Sequence, residues 1–268
     1  MSVKFPNEGE RMIANYHTHT RRCHHAVGRD ETYIKEAIKK GIKVLGFADH
    51  GPFPYEGYKS GMRMTVDEAQ GYFKSLRKLR EKYKGVIDIK IGFEYEYFPE
   101  YTEWLKKFMK ENEVDYIILG HHYSPTEQTG THTENLTKPE ELLLYRDMVC
   151  EAIRSGMYLY VAHPDLYLGK YQKFDETARQ VAEDICKAAS ECNVPLEFNL
   201  YGLRKSRDAG YMKYPYTDFW LVAKKYGCRV IQGIDAHNPK HIKQNRYFKE
   251  AEEKLEALGI TPEGILEM

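Results

Sequence analysis

Features that define several protein classes are missing from this sequence. Its 268 residues contain five cysteines, which are widely spaced and include no C-x-x-C pair: Cys23, Cys150, Cys186, Cys192 and Cys228. An odd number of scattered thiols does not predict a disulfide framework. No stretch approaches the run of about 18 apolar residues that a membrane span needs. Residues 1–11 (MSVKFPNEGER) lack the apolar core of a secretory leader. The sequence therefore predicts a reduced, cytoplasmic protein with no membrane partner.

The sequence also has no excess of charge of either sign. Lysine and arginine together number 40, as do aspartate and glutamate, so the formal net charge is zero. This balance argues against a nucleic-acid groove that depends on a strong positive field. A glycine-rich phosphate loop after the first strand is absent as well, which disfavours a doubly wound nucleotide-binding sheet.

The chain does contain a regular alternation of apolar strands and amphipathic helices. We predict seven strands, which begin near Met12, Lys43, Val86, Tyr116, Met157, Pro195 and Cys228. Between them, Asp30, the capping box Thr65-x-x-Glu68 and Asp175 predict helix starts. Parallel strands joined by helices pair through right-handed crossovers. With no linker in the composition, residues 1–268 are predicted to form one α/β domain, a closed or nearly closed (β/α) barrel, with the doubly wound sheet as the alternative.

Histidines gather where these predicted strands end. His17 and His19 follow the first strand, and side chains two residues apart in an extended chain point to the same side. Nine of the eleven histidines lie at or just beyond strand ends: His17, His19, His24, His25, His50, His121, His122, His163 and His237. Glu94 and Asp235 occupy the same kind of position. Because the carboxyl ends of barrel strands open onto one face, we expect these side chains to converge.

Such a set of side chains predicts a metal centre. Imidazoles that outnumber carboxylates, without paired thiols, suit Zn²⁺, Mn²⁺ or Fe²⁺ better than Ca²⁺ or Mg²⁺. The set exceeds what one tetrahedral ion can take, so we expect two or three ions that share Glu94 or Asp235 as a bridge. Neighbouring ions can stabilise both the attacking and the leaving oxygen at phosphorus. Hydrolysis of a small-molecule phosphomonoester is therefore the predicted reaction.

The ordered motifs resemble those of the PHP (polymerase and histidinol phosphatase) superfamily. They are His17-x-His19 with a histidine six residues later, Asp49-His50-Gly51-Pro52, Gly92-Phe93-Glu94, His122, His163-Pro164 and Asp235-Ala236-His237. Residues 199–205 (NLYGLRK), followed by Tyr214-Pro215, are similar to the histidinol-phosphate phosphatase group of that superfamily. This resemblance runs from about residue 15 to residue 240.

The resemblance implies a distorted, TIM-like (β/α)7 barrel of the PHP type with a trinuclear metal site. One ion would take His17, His19, Glu94 and Asp235. A second would take Glu94, His122 and His163, and a third His25, His50 and His237. The implied reaction is hydrolysis of L-histidinol phosphate to L-histidinol and phosphate, in histidine biosynthesis, through a metal-activated hydroxide.

Other polar residues are candidates for catalysis and substrate binding. Asp235 and His237 are predicted to act in catalysis as well as in metal binding, and Asp165 to meet the substrate ammonium or protonate the leaving alkoxide. The planar guanidinium of Arg204 matches phosphate oxygens, so we predict it as the phosphate clamp. Further substrate-binding candidates are Lys205, Arg29 and Glu96, of which Glu96 could instead orient a metal ligand.

Three other functions stay open on the sequence alone. One is a PHP-type phosphatase or phosphoesterase that acts on phosphotyrosine or a nucleotide. Another is an amidohydrolase-type barrel, which usually needs a bridging lysine where this fourth strand ends in Gly120-His121. The third is a metal-binding structural module without turnover, although such modules tend to have lost ligands.

Overall fold

A ring of parallel strands forms the centre of the molecule. The computed structural model describes residues 12–268, and segment 1–11, predicted to lack a secretory leader, lies outside the described residues. Strands β1 (Ala14–Asn15), β2 (Val44–His50), β3 (Asp88–Tyr95) and β4 (Tyr116–Leu119) pair in that order, all in parallel. Farther along the chain, β7 (Leu196–Asn199) pairs in parallel with β8 (Val230–Gly233).

Single bridging residues close this ring. Val161 pairs in parallel with Leu119 on one side and with Leu196 on the other, and Thr18 pairs with Ala236. The predicted strand at 157–162 is therefore reduced to one bridging residue, which corrects the sequence-based expectation. Its backbone still bonds to both neighbours, but the chain turns at His163, where φ is 32°. The barrel thus has seven strand positions, as predicted, and the one at Val161 is irregular.

Helices cover the outside of the ring. They are α1 (Asp30–Lys40), α2 (Val66–Lys82), α3 (Thr102–Glu111), α4 (Pro139–Arg154), α5 (Leu168–Tyr171), α6 (Glu176–Glu191), α7 (Leu200–Ala209), α8 (Thr217–Lys225), α9 (Pro239–Lys243) and α10 (Asn245–Ala257). A small antiparallel hairpin of β5 (Tyr123–Ser124) and β6 (Thr131–His132) follows β4. Within residues 12–268, no helix is both long enough and apolar enough to cross a bilayer.

Helix caps show where local sequence decides the structure. The capping box of Thr65 and Glu68 is formed at the start of α2, and the Asp175 side chain accepts a hydrogen bond from the Ala178 N–H, both as predicted. Asp30 is not the cap of α1, because the cap position is Arg29. The carboxylate of Asp30 instead accepts hydrogen bonds from Arg22, which corrects that prediction.

Helix α7 is an element that the sequence analysis did not predict. It begins directly after β7, where the Asn199 side chain accepts a hydrogen bond from the Gly202 N–H. An asparagine side chain in this position satisfies one of the free N–H groups of the first turn. The segment after the sixth predicted strand, to which the sequence analysis assigned no element, is therefore helical, so Tyr201 and Lys205 lie one turn apart beside the barrel mouth.

The core consists of two packed regions. The larger one lies between strands and helices, and the smaller fills the barrel interior with residues such as Tyr16, Tyr116 and Tyr160. Gly46 makes room for this filling, since a Cβ there would lie 2.2 Å from the Tyr116 hydroxyl oxygen. The barrel interior is therefore filled with side chains, and the polar groups lie at the carboxyl ends of the strands.

Candidate metal centre

The nine predicted metal ligands come together at the carboxyl-terminal mouth of the barrel. Eight of them line one cavity of about 260 Å³: His19, His25, His50, Glu94, His122, His163, Asp235 and His237. The ninth, His17, is fully buried and contacts both Glu94 and Asp235. Of the two histidine doublets, His25 and His122 face this cavity, whereas His121 turns away to bond Ser124.

Four donor atoms define the first metal position. Nε2 of His17 lies 3.1 Å from Nε2 of His19, and both nitrogens lie 3.3–3.5 Å from Oε2 of Glu94 and from Oδ1 of Asp235. In a tetrahedral zinc site with bonds of ~2.0–2.1 Å, ligand atoms are separated by about 3.3 Å. The spacing of these four atoms therefore matches the edges of one tetrahedral coordination shell.

Glu94 also reaches a second group of imidazoles. Its other oxygen, Oε1, lies 2.9 Å from Nε2 of His163 and 3.6 Å from Nε2 of His122. Gly120 makes this position of the carboxylate possible, since a Cβ at that residue would lie 1.9 Å from Oε1. With one oxygen directed at each group, Glu94 has the geometry of a bridging carboxylate.

A third group of imidazoles lies on the opposite side of His19. The ring centroid of His25 is 5.2 Å from that of His50 and 4.9 Å from that of His237. Ligand atoms of His19, His50 and His237 all lie within 4.8 Å of one another. The buried thiol of Cys23 is within the same distance of donor atoms of His25 and His237, so a soft sulfur adjoins this third group.

Unpaired buried atoms support the assignment to metal ions. Oε2 of Glu94, Oδ1 of Asp235 and Nδ1 of His50 are buried and lie 3.1–3.3 Å from atoms of neighbouring predicted ligands, but they form no hydrogen bond with any described residue. A buried carboxylate oxygen without a partner carries a large desolvation cost, which metal coordination would offset. The imidazole and carboxylate donors therefore fit divalent transition-metal ions.

The electrostatics of the site lead to the same conclusion. Burial alone would lower the pKa of His17, but the carboxylates of Glu197, Asp235 and Glu94 raise it well above its usual value. Burial would likewise raise the pKa of Glu94, yet the surrounding imidazoles hold it well below its ordinary range. The buried carboxylates thus favour positive charge at this site, which bound divalent ions would supply.

Two ligand positions have strained backbones. His163 has a φ of 32° and Asp235 a φ of 50°, in the left-handed region that residues with a Cβ rarely adopt. Such conformations persist only where the surroundings hold them, and they concentrate at functional sites. Of the six non-glycine residues with positive φ among residues 12–268, these two have donor atoms at the predicted metal positions.

Carboxylates outside the donor shell hold two of the ligating imidazoles. Nδ1 of His17 lies 2.8 Å from Oε1 of Glu197, and Nδ1 of His122 lies 3.2 Å from Oε1 of Glu96. The other oxygen of Glu96 accepts a hydrogen bond from Arg63 at 2.7 Å. Burial would raise the pKa of Glu96, but Arg63 and His122 lower it to about 2. Glu96 is 1% exposed and contacts the predicted ligand His122, an arrangement that favours orientation of that imidazole over contact with a substrate ammonium.

The remaining predicted residues are not all in the cavity. Lys205 lines it, whereas Arg204 lies outside with its guanidinium 4.4 Å from the ring centroid of Tyr201. Arg29 is exposed at the start of α1. Asp165 is fully buried, and its Oδ2 accepts hydrogen bonds from the Tyr216 N–H and the Trp220 indole, away from the cavity. Burial raises the pKa of Asp165 to about 7.

Three side chains at the site were missed by the sequence analysis. Glu134 and His132 come from the loop after β4 and line the cavity, and Glu134 forms ion pairs with Lys205 and Lys213. Glu197 is fully buried in β7. An acidic residue inside the apolar strand PLEFNL is a signal that could have revealed Glu197, but nothing local marks a loop histidine such as His132.

Comparison with known proteins gives relatives along most of the chain. The chain is 28% identical over 236 residues to a protein of Deinococcus radiodurans named "Probable histidinol-phosphatase", a match that covers 86% of this chain and 88% of the relative. It is 25% identical over 254 residues to the "Histidinol-phosphatase" of Bacillus subtilis, with coverage of 82% and 92%.

Solved structures share the fold. The histidinol phosphate phosphatase of Lactococcus lactis, solved with Zn, L-histidinol and phosphate, superimposes with a TM-score of 0.71 at 21% identity, over 94% of this chain and 95% of that one. A second structure, named as a putative histidinol phosphatase from Listeria monocytogenes, also gives 0.71, at 20% identity, over 88% and 99%. The fold is therefore the distorted, TIM-like α/β barrel that the motifs implied.

A protein-family model also matches this chain. The model described as "PHP domain" matches residues 15–200, which is more than half of the chain and includes His17, Glu94 and His163. Asp235 and His237 lie beyond the match, but they contact residues inside it. On this match, together with the motif order and the convergent ligands, the chain belongs to the PHP family.

Proposed function

We propose that this protein is a metal-dependent phosphomonoesterase that hydrolyses L-histidinol phosphate to L-histidinol and phosphate. The observation that carries this proposal is the position of Glu94, whose two oxygens face two separate groups of imidazoles. Divalent ions bound there would activate water for attack and neutralise charge on the phosphoryl oxygens.

The chain's own residues would perform the remaining tasks of the reaction. Lys205 carries a flexible cation on the cavity wall, where it can bind a phosphoryl oxygen. Tyr201 and Tyr214 form apolar walls that can pack against the organic part of the substrate. Asp235 and His237 line the same cavity, with Nδ1 of His237 3.1 Å from Oδ1 of Asp235, so both can act beside the bound phosphoryl group.

The size of the site and the names of the relatives support this substrate. A cavity of about 260 Å³ lies just below the ~300–1,000 Å³ typical of sites for drug-sized ligands. A cavity of this volume accommodates a small phosphomonoester. Two relatives of similar length carry the name histidinol-phosphatase, one of them as probable, and one solved structure binds L-histidinol and phosphate.

The proposal extends to the resident metal and the cellular setting. We take zinc as the resident ion, bound as two or three ions per chain, because the Lactococcus lactis structure contains zinc and a thiol adjoins the third group. Mn²⁺ and Fe²⁺ are the alternatives that imidazole and carboxylate donors also accept. Five free cysteines suit the reducing cytoplasm, and the product would enter histidine biosynthesis.

Phosphate release from competing substrates tests the proposal. The protein is stripped with a chelator, reloaded with Zn²⁺, Mn²⁺ or Fe²⁺, and supplied with histidinol phosphate, phosphotyrosine or a nucleoside monophosphate. We expect kcat/KM for histidinol phosphate to exceed that of the other two at least tenfold, and the chelated protein to be inactive. Equal or better turnover of phosphotyrosine or the nucleotide would make that compound the substrate, and full activity after chelation would exclude the metal mechanism.

A further inference from the structure

We propose that Glu197 is a positioning residue that couples the first metal position to the second. It lies in the middle of β7, is fully buried, and contacts residues on both sides of the metal centre. The inference rests on the metal centre of the proposed function but is independent of the identity of the substrate.

One oxygen of Glu197 holds a ligand of the first position. Oε1 lies 2.8 Å from Nδ1 of His17 and accepts a longer hydrogen bond, 3.4 Å, from the Tyr160 hydroxyl. When Nδ1–H of His17 donates to this carboxylate, the lone pair of Nε2 is free for a metal ion. Nε2 is the atom of His17 that lies near Glu94 and Asp235. Glu197 therefore fixes both the tautomer and the ring orientation of this ligand.

The other oxygen of Glu197 holds a ligand of the second position. Oε2 accepts a hydrogen bond from the backbone N–H of His163 at 3.1 Å. This is the strained residue with a φ of 32°, and a hydrogen bond to its N–H helps to hold that conformation. Nε2 of His163 lies 2.9 Å from the Glu94 bridge. The same carboxylate thus sets the position of ligands on both sides of Glu94.

Asn199 extends the contact to a third ligand. Its side-chain nitrogen donates to Oε2 of Glu197 at 2.8 Å and to Oδ2 of Asp235 at 3.2 Å. Because its oxygen accepts from the Gly202 N–H, the amide orientation is fixed by α7. Glu197 is therefore connected to His17 and His163 directly and to Asp235 through one amide.

The site around Glu197 requires a carboxylate. Its four partners all act as donors: the ring of His17, the hydroxyl of Tyr160, the N–H of His163 and the amide of Asn199. A glutamine of the same size would turn an NH₂ group toward one pair of these donors. Strand β8 leaves room for the carboxylate, since a Cβ at Gly233 would lie 1.7 Å from Oε1.

Metal affinity in Glu197→Gln tests the coupling. Zinc binding is measured by competition with a chromophoric chelator, and ion content by elemental analysis after dialysis. We expect affinity to fall about 10- to 100-fold, the typical effect of removing a partner behind a metal ligand, with two ions affected together. At saturating zinc, kcat should fall while KM stays within about twofold. Glu191→Gln, at an exposed glutamate at the end of α6, is the matched control and should stay within twofold of the wild type in both measurements.

Three results would overturn the proposal. Wild-type zinc affinity in Glu197→Gln would show that the carboxylate does not position its ligands, and weakening of a single ion would show that it does not couple two positions. Nitrogen-15 spectra of histidine in the zinc-loaded wild type provide a measurement that needs no variant. They should show a proton on Nδ1 of His17, and its absence would also overturn the proposal. These metal measurements remain valid if histidinol phosphate is not the substrate.

Discussion

The carboxylate of Glu94 lies close to five of the imidazoles at the site. Its carboxylate oxygens lie within 3.6 Å of a nitrogen on each of five imidazoles: His17, His19, His50, His122 and His163. The side chain points inward from β3, whose last five residues are all buried, and it is 1% exposed. A buried carboxylate in such a position is costly unless cations surround it. We therefore expect the metal centre to depend on this residue more than on any single histidine.

Glu94→Gln tests this dependence. The amide keeps the volume but has one acceptor and no negative charge, so it cannot bridge two ions. We expect turnover of histidinol phosphate to fall on the order of 1,000-fold, which corresponds to ~4 kcal/mol of transition-state stabilisation. Elemental analysis should show the loss of at least one ion per chain. The matched control is Glu103→Gln, at a highly exposed glutamate of α3, which should leave both quantities unchanged. Full metal content in Glu94→Gln would contradict the bridging role.

Lys205 and Arg204 are neighbours in sequence but lie in different surroundings. Arg204 packs over the ring of Tyr201 outside the cavity, whereas Lys205 lines the cavity and pairs with Glu134. Both are half-buried on α7. Consecutive helical residues point about 100° apart, so only one of the two can face the substrate. The geometry favours Lys205 as the phosphate contact, although the sequence alone favoured the planar guanidinium of Arg204.

Paired substitutions distinguish these two cations. Lys205→Met removes a charge-assisted hydrogen bond worth about 1.5–3 kcal/mol, so KM for the phosphomonoester should rise about 10- to 100-fold. Because this contact is made in the ground state and the transition state alike, kcat should change little. Arg204→Met should raise KM less than about threefold. Steady-state kinetics at saturating metal measure both KM values. A larger rise in KM for Arg204→Met than for Lys205→Met would identify Arg204 as the phosphate clamp.

At the scale of elements, the sequence was informative where a local pattern is strong. The start of α2 at Thr65 and the apolar strand at residues 116–119 could be predicted, because each depends only on residues that are neighbours in sequence. Helix α7 could not, since its first turn carries tyrosine, glycine and leucine and its start depends on the Asn199 side chain. The position of Val161 in the barrel is likewise determined by its pairing with Leu119 and Leu196, which are distant in sequence.

The site was predictable to the extent that strand ends are predictable. Donor atoms that follow a strand, such as those of His50 and His122, could be placed at the barrel mouth without knowing any contact. Residues away from those strand ends could not, which is why His132, on the hairpin strand β6, was missed. Asp165 follows a predicted strand end, but hydrogen bonds hold its side chain away from the cavity. The packing of α8 decides the position of Asp165, because Trp220 donates to it from a helix 55 residues away.

The loop that carries His25 is fastened to two helices. Arg22, in the 3₁₀ turn Arg21–Cys23, donates two hydrogen bonds to the carboxylate of Asp30 on α1, at 2.8 and 2.9 Å. Ser75 on α2 donates to the same carboxylate at 2.6 Å. Burial raises the pKa of Asp30, but Arg22 and Ser75 outweigh it and hold the pKa below its usual value of 3.8. The ionised carboxylate therefore stabilises the folded state.

Asp30→Asn should weaken this attachment in a pH-dependent way. Since the pKa of Asp30 is lower in the folded state, its stabilisation is fully present above the unfolded value of 3.8 and is lost as pH falls through the folded value. We expect the free energy of unfolding to drop by about 1–3 kcal/mol at pH 7 and the difference from wild type to shrink as the pH falls below 3.8. Urea titrations of the metal-free proteins measure this. The exposed Asp208→Asn serves as control, and a difference that persists at low pH would contradict the assignment.

At the scale of the whole molecule, the metal centre joins parts that are distant in sequence. The first position combines residues 17, 19, 94 and 235, so an ion there would connect the start of the described chain with its last strand. The bridge between Thr18 and Ala236 closes the barrel at the same place. Removal of the ions would leave Glu94 and Asp235 without their counter-charge at this closure. Metal content and global stability are therefore expected to be linked.

Calorimetry with and without metal tests this linkage together with the proposal that residues 1–268 form one domain. An ion that binds the folded state at 100 times its Kd stabilises by ~2.7 kcal/mol, which shifts Tm by ~2–4 °C per kcal/mol for a chain of this size. We expect chelation to lower Tm by about 5–10 °C per tightly bound ion. We also expect a single transition with and without metal, because the strands form one continuous barrel. Glu94→Gln should show the lower Tm with or without zinc. Two separate transitions would refute the single domain, and an unchanged Tm after chelation would show that the ions do not stabilise the barrel closure.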